Sequence, residues 1–284
     1  MIIFKTIPEL RHYLSSRKEA GLSVGFVPTM GALHKGHISL IHKSKEDGCF
    51  TVCSIFVNPA QFNDPSDFEK YPSTLPEDIS LLESAGCDVL FLPSKEEMYP
   101  QGMEAAPSYH FGRLEEVLEG AMRPGHFAGV GKVMSLLLRI VEPDALYMGS
   151  KDYQQCLVVQ DLCRQMGLKD RIRFIACPTS REPDGLAMSS RNLRLSESQR
   201  ARAGIIYQCL VSLQSKFDSG ADFGIVQKEC LELLQAKGFE TEYVSIADAA
   251  TLEPMTQFDP NRKTVALIAA KIGAIRLIDN LNLN

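Results

Sequence analysis

Over the first two-thirds of the chain, short apolar runs rich in β-branched residues alternate with longer segments in which hydrophobic residues recur every three or four positions. The short runs predict buried strands at Ser23–Pro28, Thr51–Val57, Val89–Pro93, Ala145–Met148 and Arg173–Cys177. The longer segments predict helices at His37–Lys45, Pro76–Ala85, Gly129–Val141 and Tyr153–Met166. Because strands and helices alternate through short polar links, we expect an α/β fold, with a parallel sheet covered by helices on both faces.

The pattern changes after Pro178. Helices are predicted at Glu197–Lys216 and Ile225–Lys237, and strands at Glu240–Ala247, Thr264–Lys271 and Ala274–Asp279. The Ile272–Ala274 step, centred on a glycine, predicts a tight hairpin between the last two strands. We therefore expect two domains, an α/β domain over residues 1–178 and a small α+β domain over residues 179–284, with Arg181–Leu195 as the connector.

The composition, with 45% hydrophobic and 23% charged residues, excludes a disordered or collagen-like chain. A formal net charge of −5 disfavours bulk binding of nucleic acid, although it allows a local cationic pocket. The most apolar stretches, Val130–Val141 and Thr264–Ile278, each contain a lysine and an arginine, so we expect no membrane span. Eight dispersed cysteines without a Cys-x-x-Cys pair, and an N-terminus without a long apolar core, predict a cytoplasmic protein.

Two histidines stand where the first of these strands is predicted to end and a helix to begin, within Phe26–His37. Ligands of open α/β sheets bind at such junctions, and the unpaired amides of a helix start suit a phosphate. His34 and His37 fall on one face of the first turn, and Gly36 lets a ligand approach the backbone. The pair can donate hydrogen bonds to an α-phosphate as negative charge develops there. The alternatives are two surface histidines at a helix cap or a two-histidine metal site, although no nearby cysteine or carboxylate completes a ligand set.

Later loops supply cations and hydroxyls. Lys151 stands near a predicted helix start, where a cation is unfavourable unless a phosphate is bound, although an exposed lysine is an alternative interpretation. The two serines and the arginine of Gly185–Asn192 can bind a triphosphate and neutralise departing pyrophosphate, and a serine-rich helix cap explains them equally well. Arg123–Phe127 is a weaker signal.

Neutral amides follow the predicted strand Thr51–Val57. Asn58 and Gln61, together with Gln155, can bind the hydroxyl and carboxylate of a hydroxy acid without neutralising the nucleophile. The chain has no Gly-x-Gly-x-x-Gly after its first predicted strand and no Gly-x4-Gly-Lys-Ser/Thr, so a dehydrogenase and a P-loop kinase are both disfavoured.

Carboxylates that could bind a metal occur at Glu77 and Asp78, with Asp152 as a further candidate. Acidic pairs at a helix start more commonly interact with the helix dipole. The preceding loop, residues 63–76, is rich in Pro, Asp and Ser and is expected to act as a flap.

Five segments together resemble the pantothenate synthetase family, the pantoate–β-alanine ligases. They are Pro28–His37 (PTMGALHKGH), Phe56–Phe62 (FVNPAQF), Gly125–Val130 (GHFAGV), Lys151–Gln155 (KDYQQ) and Asp184–Asn192 (DGLAMSSRN). Because all five occur in the family's order over nearly the whole chain, the resemblance is far more specific than any one of them.

The resemblance implies an ATP-dependent ligase that joins (R)-pantoate to β-alanine and releases AMP and pyrophosphate, through a pantoyl adenylate. It further implies a Rossmann-like N-terminal domain, a small C-terminal domain that closes over the site, a homodimer and a Mg²⁺ requirement. The family is related to the class I aminoacyl-tRNA synthetases, whose two signature motifs resemble the His-x-Gly-His and Met-Ser-Ser-Arg elements of this chain.

The resemblance also implies residue roles. ATP is expected to contact Met30, Gly31, Ala32, Leu33, His34, Lys35, Gly36, His37, Gly149, Ser150, Lys151, Asp152, Ser180, Met188, Ser189, Ser190 and Arg191. The resemblance places pantoate at Gln61 and Gln155, and β-alanine at Gln61. The residue pattern itself adds Asn58 to the expected pantoate contacts and gives Asp78 and Glu77 as the expected metal ligands. His37 is the expected proton donor, with His34 and Lys151 as further catalytic residues.

Three positions depart from the commonest family pattern: Ser150 replaces a frequent Glu, Lys132 a usual Thr, and Glu77 a common Asp. These departures affect secondary contacts and the metal assignment. A homodimer is expected to use the phenylalanine and valine side chains of Thr51–Val57, as an edge strand.

Two other functions remain open from the sequence. A nucleotidyltransferase of the same superfamily would transfer AMP to a phosphate and stop there, and a non-catalytic regulator would bind ATP and release no AMP. A tRNA-binding relative is disfavoured by the net charge of −5.

Overall fold

The structure is a computed structural model that describes residues 1–62, 68–218, 222–257, 259 and 261–284. Residues 63–67, the first part of the predicted flap, lie outside the described residues. The chain forms two compact units, one comprising Met1–Ser150 and Gln154–Pro178, the other comprising Lys151–Tyr153 and Thr179–Asn284.

The first unit is built on a six-stranded sheet in which every neighbouring pair is parallel. Its strands are β1 (Ile2–Phe4), β2 (Val24–Thr29), β3 (Phe50–Ile55), β4 (Val89–Phe91), β5 (Ala145–Gly149) and β6 (Arg173–Cys177), in the spatial order β1-β4-β3-β2-β5-β6. Its helices are α1 (Ile7–Glu19), α2 (Lys35–Glu46), α3 (Leu75–Ser84), α4 (Lys95–Met98), α5 (Glu119–Met122), α6 (His126–Val141) and α7 (Tyr153–Gln165). The predicted α/β fold class is confirmed.

Two hydrophobic clusters show that helices cover both faces of this sheet. Val52 of β3 packs in one cluster with residues of α1, α6 and α7, while its neighbour Cys53 packs in another with residues of α2 and α3. Side chains of a strand alternate between the two faces, so consecutive residues enter different cores. All ladders being parallel, the carboxyl ends of the strands share one edge, where the loops after β2, β3 and β5 begin.

The expectation that Thr51–Val57 is an edge strand is wrong. In the structure β3 (Phe50–Ile55) pairs with β2 on one side and β4 on the other, and five of its six residues are buried. A nearly continuous apolar run is typical of a central parallel strand, which both helix layers cover. The β3 strand therefore supplies no exposed surface for a dimer.

The second unit contains α8 (Glu197–Ala203), α9 (Ile205–Asp218) and α10 (Phe223–Ala236), followed by an antiparallel sheet of β7 (Glu240–Asp248), β8 (Thr264–Ile272) and β9 (Ile275–Asn282). The predicted hairpin is confirmed: two residues join β8 to β9, and Gly273 adopts φ +59°. Apolar residues of all three helices and all three strands form one core.

The structure differs from the predicted elements in one divided helix and in several elements that the pattern did not predict, among them α4 (Lys95–Met98) and α5 (Glu119–Met122). The single helix predicted over Glu197–Lys216 is two helices, divided at Gly204, where an added Cβ would lie 2.9 Å from the carbonyl oxygen of Asp184. The pattern also did not predict β1, which is only three residues long, or α1, which buries only Leu10 and Leu14.

All eight cysteines are buried and none forms a disulfide, as the sequence predicted. None of the helices in the described ranges is long and apolar enough to cross a membrane.

Candidate active site

The loop after β2 turns sharply into α2. Gly31 and Ala32 both adopt the left-handed region, with φ of +84° and +50°. A glycine occupies this region at little cost, whereas an alanine is strained there and must be stabilised by its surroundings. The turn brings His34 to the N-cap of α2 and His37 to its first turn.

The two predicted histidines lie against each other, with their ring centroids 4.1 Å apart. The Nδ1 atom of His34 accepts a hydrogen bond from the amide of Gly36 at 3.1 Å, and Nδ1 of His37 accepts one from the amide of His34 at 3.4 Å. Because both Nδ1 atoms accept, each neutral ring carries its proton on Nε2. The helix start thereby presents two Nε2–H donors together with the partial positive charge of the helix dipole.

Asp78, in the first turn of α3, holds this loop in place through hydrogen bonds to its backbone. Its carboxylate accepts hydrogen bonds from the amides of Ala32 at 2.9 Å and Leu33 at 2.7 Å, and from Oγ1 of Thr74 at 3.1 Å. The side chain is only 2% exposed. Both oxygens are therefore engaged by groups of the chain itself.

This geometry does not fit the predicted metal role of Asp78, because the carboxylate is buried against backbone amides. Glu77 is exposed beside it and Asp152 is exposed as well. Across the described ranges no group of three or more His, Cys, Asp or Glu side chains is placed to bind a metal ion. Asp78 and Glu77 therefore do not form a resident Mg²⁺ site with any other described residue, and the two-histidine metal alternative gains no further ligand from that part of the chain.

Asn58 and Gln61, the predicted amides after β3, are buried and hydrogen-bonded to each other, with Asn58 Nδ2 donating to Gln61 Oε1 at 3.2 Å. Burial raises the pKa of Tyr99 to about 12, so its hydroxyl stays protonated and donates to Asn58 Oδ1 at 2.8 Å. That bond fixes the orientation of the Asn58 amide, which in turn fixes that of Gln61. Gln61 Nε2 consequently points to Sδ of Met30, 3.0 Å away, next to the histidine loop.

His126 supports Gln61, a role that the sequence signalled only weakly through Arg123–Phe127. Its Nδ1 lies 2.7 Å from the carbonyl oxygen of Gln61 and its Nε2 lies 3.1 Å from a guanidinium nitrogen of Arg123. A carbonyl only accepts and a guanidinium only donates, so His126 is neutral with its proton on Nδ1. Gly129 completes the contact, since a Cβ there would lie 2.0 Å from the carbonyl oxygen of Ala60.

Of the two glutamines at the start of α7, the structure buries Gln154 and leaves Gln155 half-buried. Gln154 donates to the carbonyl oxygens of Leu114 and Val117 and accepts from the amide of Glu119, so it ties a long loop to the helix. That structural role belongs to Gln154 and not to Gln155, the predicted pantoate contact.

In the second unit, the segment Ser180–Asn192 is folded on itself. The amide of Met188 donates to the carbonyl oxygen of Ser180 at 2.9 Å, and Ser189 Oγ accepts from the amide of Arg191 at 3.3 Å. Asn192 Nδ2 donates to the carbonyl oxygen of Ala187 at 3.0 Å. These bonds bring Ser180 near Met188–Arg191, the predicted nucleotide contacts of this unit.

Arg181 organises the same segment, and sequence reasoning did not identify it. It forms two hydrogen bonds to the carboxylate of Asp279, at 2.6 and 3.0 Å, and its guanidinium stacks over the Tyr207 ring at 4.0 Å. Nearby, Asn280 Nδ2 donates to the carbonyl oxygen of Lys151 at 2.8 Å. The strand β9 therefore fixes both Arg181 and the backbone at Lys151.

Comparison with known proteins gives consistent results over the whole chain. Residues 2–282 match the family model described as pantoate-beta-alanine ligase. A pantothenate synthetase of Cytophaga hutchinsonii is 46% identical over 99% of both chains. A crystal structure of pantothenate synthetase from Thermus thermophilus superposes with a TM-score of 0.89 at 39% identity, covering 100% of this chain and 99% of that one. A pantoate-beta-alanine ligase from Francisella tularensis, complexed with beta-gamma ATP and beta-alanine, gives 0.80 at 36% identity, covering 100% and 98%.

Proposed function

The chain belongs to the pantoate–β-alanine ligase family, whose members form the amide bond of pantothenate, and on that premise we propose that it uses ATP and proceeds through a pantoyl adenylate. In the first step a carboxylate oxygen of pantoate attacks the α-phosphorus of ATP and pyrophosphate leaves. In the second step the neutral amine of β-alanine attacks the acyl carbon and forms the amide bond, the bond from that carbon to the adenylate oxygen breaks, and AMP leaves with that oxygen while the nitrogen loses one proton.

The observation that carries this proposal is the contact between Gln61 and Met30, because it places the buried amides beside the histidine loop within one unit. A hydroxy acid bound by Gln61, whose amide is oriented by the buried Asn58, would have its carboxylate near a phosphate bound at the start of α2. The amides bind without adding positive charge, so the attacking carboxylate keeps its nucleophilicity. The pair of Nε2–H donors would stabilise the charge that develops on the α-phosphate.

We propose that the residues of the second unit act on the same nucleotide, as the family resemblance implies. Lys151 and Arg191 would neutralise phosphate charge, and the hydroxyls of Ser189 and Ser190 would bind the departing pyrophosphate. Ser180 would contact the adenine. The Francisella tularensis relative, complexed with beta-gamma ATP and beta-alanine, supports the assignment of ATP and β-alanine as ligands in this family.

We propose that Mg²⁺ arrives with the triphosphate, because Mg²⁺ commonly binds through substrate phosphates and retained waters. No step is assigned to it, since Asp78 is engaged by backbone amides. A homodimer and a cytoplasmic location complete the proposal. The first rests on the family resemblance, and the second on eight buried thiols without a disulfide, a pattern typical of reducing compartments.

The test is product analysis with purified protein, ATP, pantoate and β-alanine, omitting each substrate in turn. We expect pantothenate, AMP and pyrophosphate in equal amounts only when all three substrates are present. Release of ADP and phosphate would show an acyl-phosphate route, and transfer of AMP to a phosphate substrate would show a nucleotidyltransferase. ATP binding without any AMP would show a regulator.

A further inference from the structure

We infer that Asp78 is a positioning residue for the phosphate-binding loop, acting through the backbone of Ala32 and Leu33. This role rests on the proposed function, since the loop it supports is the one that would bind ATP. Asp78 lies 46 and 45 residues along the chain from the two amides that it accepts. A buried carboxylate that accepts two backbone hydrogen bonds has its position fixed and fixes the groups that donate to it.

The loop needs such support because Ala32 is strained. Its φ of +50° is a conformation that residues other than Gly, Asn and Asp rarely adopt. Gly31, which precedes it with φ +84°, is in close contact with the same carboxylate, since a Cβ there would lie 3.2 Å from Asp78 Oδ2 and 3.1 Å from Ile55 Cγ2. The carboxylate therefore accepts a hydrogen bond from the strained Ala32 and leaves little room for a side chain at Gly31.

The orientation of the Ala32–Leu33 backbone also sets the orientation of the two histidines. His34 follows Leu33 in the chain, and its amide donates to Nδ1 of His37 while its own Nδ1 accepts from Gly36. A change in the direction of the Ala32–Leu33 backbone would rotate the His34 amide out of that bond. Both imidazoles would then lose the orientation that sets their protons on Nε2.

The start of α3, which carries Asp78, is itself held in place by hydrogen bonds and by packing. Thr74 Oγ1 donates to Asp78 Oδ1 at 3.1 Å, and the amide of Asp78 donates to the carbonyl oxygen of Thr74 at 2.9 Å. Leu82 of the same helix is fully buried and packs in one core with Leu33 and Ile41. The helix, the carboxylate and the loop therefore form one packed assembly.

The test compares Asp78→Asn with the double variant Asp78→Asn/Ala32→Gly and with Ala32→Gly alone. An amide at 78 keeps one acceptor and turns its NH₂ toward the other backbone amide. We expect kcat/KM for ATP to fall by about tenfold to hundredfold in Asp78→Asn, with the KM for β-alanine within about twofold of wild type. Because glycine adopts φ +50° without strain, Ala32→Gly should raise kcat/KM for ATP at least about threefold more in the Asp78→Asn background than it does in the wild type.

The matched control is Glu83→Gln, the same acid-to-amide change at an exposed position of the same helix, and we expect wild-type kinetics. If Asp78 were instead a metal ligand, excess Mg²⁺ would restore kcat/KM for ATP in Asp78→Asn, and adding Ala32→Gly would not. Either that pattern or wild-type kinetics in Asp78→Asn overturns the inference. If Asp78→Asn shows no cooperative unfolding transition, Thr74→Val provides the test, with a loss of about twofold to fivefold expected in kcat/KM for ATP.

A second readout is independent of catalysis. Hydrogen exchange at the amides of Ala32 and Leu33, followed by NMR, should be slow in the wild type and much faster in Asp78→Asn, with other α3 amides unchanged. Unaltered exchange at these two amides would overturn the inference even in a fully folded variant. If the wild type forms no pantothenate but exchange at these two amides is still slow in the wild type and fast in Asp78→Asn, the proposed function is refuted and the positioning role of Asp78 remains.

Discussion

Asp78 in the first unit and Asp248 in the second use the same chemistry over very different chain distances. Asp248 accepts from the amides of Ala250 and Thr251 at 3.0 and 2.9 Å, which are only two and three residues away, and from Nε of Arg262 at 2.8 Å. Asp78 accepts from two amides on a loop that lies more than forty residues earlier.

This difference in sequence separation indicates a different role for each carboxylate. The bonds of Asp248 close a local turn that contains no predicted site residue, so this carboxylate stabilises the fold of the second unit. The bonds of Asp78 fix the backbone that leads into His34 and His37, so its contribution should be seen in activity. The following changes separate these two contributions.

The largest expected effect is that of His37→Ala, which tests whether the loop fixed by Asp78 carries the chemistry. Removing one transition-state donor costs about 3–4 kcal/mol, so turnover should fall about hundredfold to thousandfold with the melting temperature little changed. The control is His42→Ala, at an exposed position of the same helix. Turnover near the wild-type level would remove His37 from the proposed role.

The next largest effect is expected for Gln61→Ala, which tests whether the first unit also binds the acid. Loss of a buried, oriented amide should raise the KM for pantoate and β-alanine, with a total cost of about 1.5–3 kcal/mol in kcat/KM. Steady-state kinetics with each substrate varied will measure it, with the exposed Gln101→Ala as control. A defect confined to ATP would contradict the pocket assignment.

Asp248→Asn should reduce stability and leave kcat unchanged. Burial alone raises the pKa of Asp248, but the bonds from Thr251, Arg262 and Ala250 outweigh it and lower the pKa from 3.8 to about 2. A lowered pKa gives stability that is fully present above pH 3.8 and is lost as the pH falls toward 2. The wild type should therefore exceed the variant by up to about 2 kcal/mol at neutral pH, less at high salt, with convergence near pH 2.

Urea unfolding of both proteins at several pH values, with the exposed Glu240→Gln of the same strand as reference, checks this prediction. A difference that does not depend on pH would mean that the charge of Asp248 contributes nothing. A large loss of kcat in Asp248→Asn would mean that Asp248, like Asp78, contributes to activity and not to stability alone.

The smallest effect is expected for Asn192→Ala, which removes a local bond in the second unit. The bond from Asn192 Nδ2 to the carbonyl oxygen of Ala187 is worth about 1 kcal/mol, so the KM for ATP should rise by about threefold to fivefold. Asn261→Ala, at an exposed asparagine of the same unit, is the control. A rise beyond about fiftyfold would mean that Asn192 contacts the nucleotide itself.

Much of the fold followed from periodicity, because the strands β2 to β5 and the long helices bury continuous or regularly spaced apolar residues. The edge strand β6 was predicted as well, although it buries only Cys177. The strand β1 escaped prediction because three residues carry too little pattern. The helix break at Gly204 lies close to the carbonyl oxygen of Asp184, a tertiary contact that no local pattern records. The apolar run of β3 is typical of a strand covered on both faces, but its pairing with β2 and β4 could not be predicted, since strand order is set by the packing of distant elements.

For the site, the motifs identified the histidine loop and the amides, but not how they are supported. The metal assignment for Asp78 followed from a carboxylate pair at a helix start, a pattern that does not show where each side chain points. Its hydrogen bonds to Ala32 and Leu33 depend on tertiary structure. The same holds for the bond of His126 to the carbonyl oxygen of Gln61.

The formation of pantoyl adenylate, the mixed anhydride of pantoate and AMP, is tested most directly by exchange of labelled pyrophosphate into ATP. The wild-type protein should catalyse this exchange with pantoate alone, before β-alanine is added, and not with β-alanine alone. His37→Ala should lower it in proportion to its loss of turnover. Exchange that requires β-alanine, or pantothenate formation without any exchange, would contradict the adenylate.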